Sequence, residues 1–238
     1  MKIGIIQTRG LGDIVIAAPI AMYYIDRGCD VYWPIDLEFI DPFQYALPKI
    51  SFIPVDKNLV GHNTADFFYN TPLQKLKEVG CNSILCLYSH LTGFDLGNLR
   101  IQSSLSFDAY KYAVAKVPLS EKWNLSIKRN LIREAKIFDY LGLNSTDEYI
   151  LYHEDGSNFH IDLRPHITDK GVRLVKIEPI TDNFLDWIGV IENCKAAYMV
   201  DSVYVNLIEQ LNIKINKYLY LRSNVSFTPI TKNSWQYI

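Results

Sequence analysis

Residues 2–24 read KIGIIQTRGLGDIVIAAPIAMYY: a strand-length apolar run from Ile3 to Thr8, the turn Arg9-Gly10-Leu11-Gly12-Asp13, and an apolar stretch that predicts a helix over Ile14 to Arg27. A short apolar run that ends in a glycine turn and passes into a helical pattern is the opening unit of an α/β sheet. Gly10 and Gly12 permit a tight turn with exposed backbone, and the first amides of the following helix carry partial positive charge. Three readings of the turn stay open on its own residues. Gly10-x-Gly12 matches the first two glycines of a dinucleotide fingerprint, with Asp36 after the next strand as the ribose acid. Against it, Val15 stands at the third glycine, and Asp13 sets a negative charge near the pyrophosphate. Asp13 can instead cap the helix. It can also stand ionised at a strand end and take a proton from a hydroxyl nucleophile.

The alternation continues along the chain. Strands are predicted over Asp30–Pro34, Ser51–Val55 and Ser83–Tyr88, and helices over Phe39–Ala46, Pro72–Val79 and Ala109–Ala115. These make an α/β domain over residues 1–118. Residues 119–146 read as a connecting helix, with apolar positions at Leu125, Ile127, Leu131, Ile132, Ala135, Ile137, Phe138 and Leu141 and a stop at Gly142. Residues 147–238 repeat the logic: strands Tyr149–His153, Arg173–Ile177, Ala196–Val200 and Lys217–Leu221, helices Asn183–Glu192 and Val203–Leu211. Two α/β halves joined by a helix predict a cleft, with ligands at the carboxyl ends of the strands.

Composition bounds the function classes. The 238 residues are 49% hydrophobic and 21% charged, an ordinary globular balance, and a net charge of -2 gives no electrostatic reason to expect nucleic acid or anionic membrane as partner. Cys29, Cys81, Cys86 and Cys194 lie in apolar contexts without Cys-x-x-Cys spacing, which predicts free thiols of a reducing compartment and no metal site. The first residues lack the pattern of a signal peptide, and no run approaches the roughly 18–20 apolar residues of a membrane helix. A cytoplasmic location, at most on a membrane surface, is the expectation.

A second junction resembles the first. Ala197-Tyr198-Met199-Val200 runs into Asp201-Ser202, and a helix begins near Val203, so Asp201 or Ser202 can cap it while its free amides cradle a phosphate. The Gly12-Asp13 turn with Pro19 in the following helix, the Phe184–Lys195 stretch and the Asp201-Ser202 junction together resemble glycosyltransferase family 9, the heptosyltransferase-like enzymes. The family signature has a glycine where this chain has Val203, a histidine where it has Asn206 or a neighbour, and Lys-x-Trp-Pro where it has Leu163-Arg164-Pro165. The chain is also shorter than typical members.

The resemblance implies a compact GT-B fold, two Rossmann-like domains facing each other across a cleft, and an inverting, metal-independent transfer of sugar from a nucleotide-sugar donor to an acceptor hydroxyl. No cofactor is implied beyond the donor. Asp13 would be the general base, with Gly12 in the same turn. On the donor side stand His153, Gly156, Ser157, Glu178, Asp201 and Ser202, with His160 and Arg164 as cations in place of the missing lysine. Glu178 would hold ribose hydroxyls, Asp201 sugar hydroxyls, and Ser202 with the helix amides the diphosphate. Ser89 and His90 are the acceptor-side candidates, the acceptor being a glycan, a lipid-linked glycan or another hydroxyl compound. Two other classes stay open: a nicotinamide- or flavin-binding Rossmann oxidoreductase, and a catalytically inactive sugar-nucleotide-binding relative.

Overall fold

The apolar runs pair in parallel, as their alternation with helices requires. The computed structural model describes residues 1–62, 64–88, 105–144, 146–157, 159–221 and 229–238. Strands β1 (Lys2–Ile6), β2 (Asp30–Asp36), β3 (Ser51–Val55) and β4 (Ser83–Cys86) form one sheet in the order β3-β2-β1-β4. Every pairing is parallel, with Ile6 beside Cys86 and Asp36 beside Val55 at the carboxyl ends. The α-helices among the described residues of this part are α1 (Leu11–Ile25), α2 (Ile40–Ala46), α3 (Lys57–Val60), α4 (Thr71–Glu78) and α5 (Phe107–Val114). Helix α1 is buried without a break from Ile14 to Ala21, which is why its sequence is apolar all round rather than on one stripe. Gly4 lets α4 lie close on β1, since an added Cβ would come 2.7 Å from a Leu76 methyl.

The second sheet holds β5 (Tyr149–His153), β6 (Arg173–Lys176), β7 (Ala196–Val200), β8 (Asn216–Tyr220) and β9 (Gln236–Tyr237) in the order β6-β5-β7-β8-β9, again all parallel. Its helices are α6 (Leu131–Leu141), α7 (Ile188–Asn193) and α8 (Val203–Gln210). Strand β7 is buried at all five positions, the apolar run of a central parallel strand. Buried Glu209 on α8 accepts hydrogen bonds from the Lys232 and Asn233 amides and from Trp235 Nε1, which fastens the chain entering β9.

The chain divides into two compact units, Met1–Lys128 and Arg129–Ile238. The connecting helix expected over 119–146 is not one helix. A 3-10 turn spans Leu119–Trp123, residues 124–130 are neither helix nor strand, and α6 starts after Asn130, whose Oδ1 accepts the Arg133 amide. Leu125 is buried, Ile127 half-buried, and Ser126 and Lys128 exposed, so burial here alternates with a period of two, whereas residues two apart do not share a helix face. The stop at Gly142 stands, with φ 58° and ψ 44°. Among the described residues no helix is long and apolar enough to cross a membrane.

Candidate active site

Each sheet reverses its strand order once, between β1 and β4 in the first unit and between β5 and β7 in the second. Such reversals open a crevice at the carboxyl ends of the strands, and ligands of open α/β sheets bind there.

At the first reversal, β1 leads into buried Gln7 and Thr8 and then into the Gly10 turn, while Leu87 continues β4 by donating its amide to Ile6 O at 3.0 Å. Gly10 precedes α1 with φ 87°, a backbone that other residues rarely adopt. No side chain caps this helix. Asp13 is therefore not the cap that its position allowed. It is the third residue of α1, and its Oδ1 lies 2.8 Å from Nζ of Lys111 on α5. Lys111 is 2% exposed and also donates to Gln7 Oε1 at 2.8 Å and Leu87 O at 3.1 Å. Gln7 is held in turn, with Nε2 donating to Arg9 O and its backbone carbonyl accepting from Trp33 Nε1. Buried Tyr88 accepts the Arg9 amide, and burial raises its phenol far above the ordinary value, so it is neutral. Gly12 sits half-buried in the first turn of α1.

Sequence reasoning missed Lys111. It stands between Tyr110 and Tyr112 in a short helix where the structure buries all three, a placement lysine adopts only with partners and one that the sequence alone does not show. Asp36, the ribose acid of the dinucleotide reading, is 1% exposed, and its Oδ1 accepts the Glu38 amide. Burial raises its pKa. It caps a 3-10 turn, which removes the support it lent to a nicotinamide or flavin site. Ser89 and His90 lie outside the described residues.

At the second reversal, His153 ends β5, paired in register with Met199 of β7. Its ring meets Tyr204 edge-on with centroids 4.8 Å apart, and burial pushes its pKa down to about 4. Among the described residues its Nδ1 is buried without a hydrogen-bond partner. Just beyond the carboxyl end of β7, Asp201 is half-buried, and Ser202 precedes α8 in extended backbone. The Ser202 hydroxyl makes no cap bond and is buried without a partner among the described residues, so it is not the helix cap.

The loop after β5 departs from expectation. The Gly156 amide donates to Phe159 O at 2.9 Å and so is not a free donor for phosphate; the Phe159 ring lies where a side chain at Gly156 would stand. Ser157 is exposed. His160 Nδ1 lies 2.8 Å from Asp155 Oδ1, and Arg164 forks onto Asp162 at 2.8 and 2.9 Å. Both expected cations are therefore exposed and paired with neighbours. A cation missed in the sequence, Lys176 at the end of β6, lies 3.0 Å from buried Glu154, which raises its pKa. Glu178 is exposed just beyond it. Among the described residues no group of three or more His, Cys, Asp or Glu side chains is arranged to hold a metal ion.

No protein-family model matches the chain, and no curated protein matches its sequence. Solved structures do match. A glycosyl transferase family 9 protein from Veillonella parvula DSM 2008 aligns over 100% of this chain and 86% of its own, with a TM-score of 0.67 and 14% identity. E. coli ADP-heptose lps heptosyltransferase II aligns over 100% and 90%, with a TM-score of 0.64 and 12% identity. E. coli heptosyltransferase WaaC with ADP-2-deoxy-2-fluoro heptose aligns over 100% and 93%, with a TM-score of 0.57 and 12% identity.

Proposed function

We propose, from the fold shared with family 9 glycosyltransferases and the carboxylate at its first sheet reversal, that the chain is an inverting glycosyltransferase using a nucleotide-sugar donor. The observation that carries this reading is Asp13: a carboxylate that caps no helix, 29% exposed, held at a strand-end crevice by a buried lysine. In the proposal the two units face each other across a cleft. The second unit binds the donor, with the Ser202 hydroxyl and the first amides of α8 on the diphosphate, Asp201 on sugar hydroxyls and Glu178 on the ribose. Asp13 takes the proton of the acceptor hydroxyl as its oxygen bonds to the anomeric carbon. The anomeric C–O bond to phosphate breaks, and its electron pair leaves with the nucleoside diphosphate. Helix amides stabilise that charge, so the step needs no metal.

A thermal-shift panel of ADP-heptose, ADP, UDP-glucose, NAD and FAD tests the class, since a ligand at a hundred times its Kd adds about 2.7 kcal/mol of stability. A shift with a sugar nucleotide and none with NAD or FAD is expected; the reverse pattern overturns the reading. Asp13→Asn should then keep the donor-induced shift while turnover falls by about 10²–10⁴-fold, the range for losing a general base. Binding without turnover in the unsubstituted protein would mark it as an inactive relative.

A further inference from the structure

The lysine beside Asp13 is more than a counter-charge. An ammonium has three protons and no acceptor capacity, and those of Lys111 meet Gln7 Oε1, Leu87 O and Asp13 Oδ1 at 2.8, 3.1 and 2.8 Å. Two of these acceptors follow β1 and β4, so the ammonium is fixed to the sheet before it reaches Asp13. The carboxylate is thus held by one oxygen on its buried side. The other oxygen, Oδ2, lies over Gly10, where an added Cβ would stand 2.4 Å from it.

We infer that Lys111 is the positioning residue for Asp13: by holding Oδ1 it presents Oδ2 as the oxygen that takes the acceptor proton, and a side chain at Gly10, a position its φ of 87° already reserves for glycine, would displace that oxygen. The inference rests on the reading of Asp13 as base. The hydroxyl proton passes to Oδ2 and later to water, the glycosidic bond forms as the bond to the diphosphate breaks, and Lys111 keeps its three protons throughout. A general base works only within hydrogen-bond reach and correct orientation, so a carboxylate free to rotate loses rate without losing donor affinity.

Lys111→Met retains length and apolar bulk but removes the charge and leaves Gln7 Oε1 and Leu87 O without their donor. A companion, Lys111→Met with Gln7→Met, relieves one of those acceptors and guards against simple misfolding. With ADP release from ADP-heptose as the assay, below the melting temperature of every variant, kcat should fall at least about tenfold in both, with KM for ADP-heptose within about twofold. In an Asp13→Asn background the same substitution should change kcat by less than about twofold, because groups acting as a unit are not additive. An equal loss in both backgrounds means a merely structural lysine and overturns the inference. Unaltered kcat in Lys111→Met, with Asp13→Asn inactive, overturns it alone; full activity of Asp13→Asn overturns the base reading beneath it. If ADP-heptose is not turned over, the crystal structure of Lys111→Met decides. A carboxylate that leaves its place supports the inference, and one that stays refutes it.

Discussion

His153 shows how a residue at a predicted strand end can hold more than its position tells. It ends β5, as the apolar run Tyr149–His153 predicts, but its ring lies against Tyr204 and burial pushes its pKa down to about 4. An unfolded histidine titrates near 6.5, so between those values the unfolded chain binds more protons and stability rises with pH. The contribution is fully present above about pH 6.5, is lost as pH falls toward 4, and amounts to about 3 kcal/mol. Urea unfolding at pH 7 and pH 4.5 should show the decline, and His153→Phe should flatten its share of it. A variant with the parent slope would remove His153 as its source. Asp13 was legible because its turn is local. Lys111 was not, because the bond joining them depends on tertiary closure, and periodicity reports only what a residue's own element does.

At the scale of elements, strands β3, β5 and β7 occupy the spans their apolar runs predict, since a continuous run between turns has few other registers. In segment 124–130 burial alternates, and only the four-residue step from Ile127 to Leu131 has the helical period that predicts one continuous helix. What fixes the preceding 3-10 turn is an ion pair: Lys122 and Asp108 of α5, both fully buried, meet at 2.5 Å. Removing one partner of such a pair strands a charge in the interior and costs about 3–5 kcal/mol. Asp108→Ala should lose that much in denaturant unfolding, while Asp108→Leu with Lys122→Met should recover most of it. If the double variant is as unstable as the single, packing rather than charge holds the turn to α5.

At the scale of the whole molecule, identities of 12–14% accompany TM-scores of 0.57–0.67 in three of the matched structures. Such likeness survives because an α/β sheet asks for patterns of apolar runs and turns rather than particular residues. Each unit has its own parallel sheet and buried core. Under the proposed function, residues 129–238 expressed alone should therefore fold and show a melting-temperature rise with ADP, and residues 1–128 should show none. A rise confined to 1–128 would move the donor to the wrong unit.

The ammonium of Lys111 joins residues 104 and 24 positions apart in the chain. Contacts of that span close only after the intervening loops have given up their entropy. A first unit whose α5 has not docked carries Asp13 with no fixed direction. Under the proposed chemistry, an unfinished chain is inert toward its substrates, and reactivity arrives in the same event that buries the lysine.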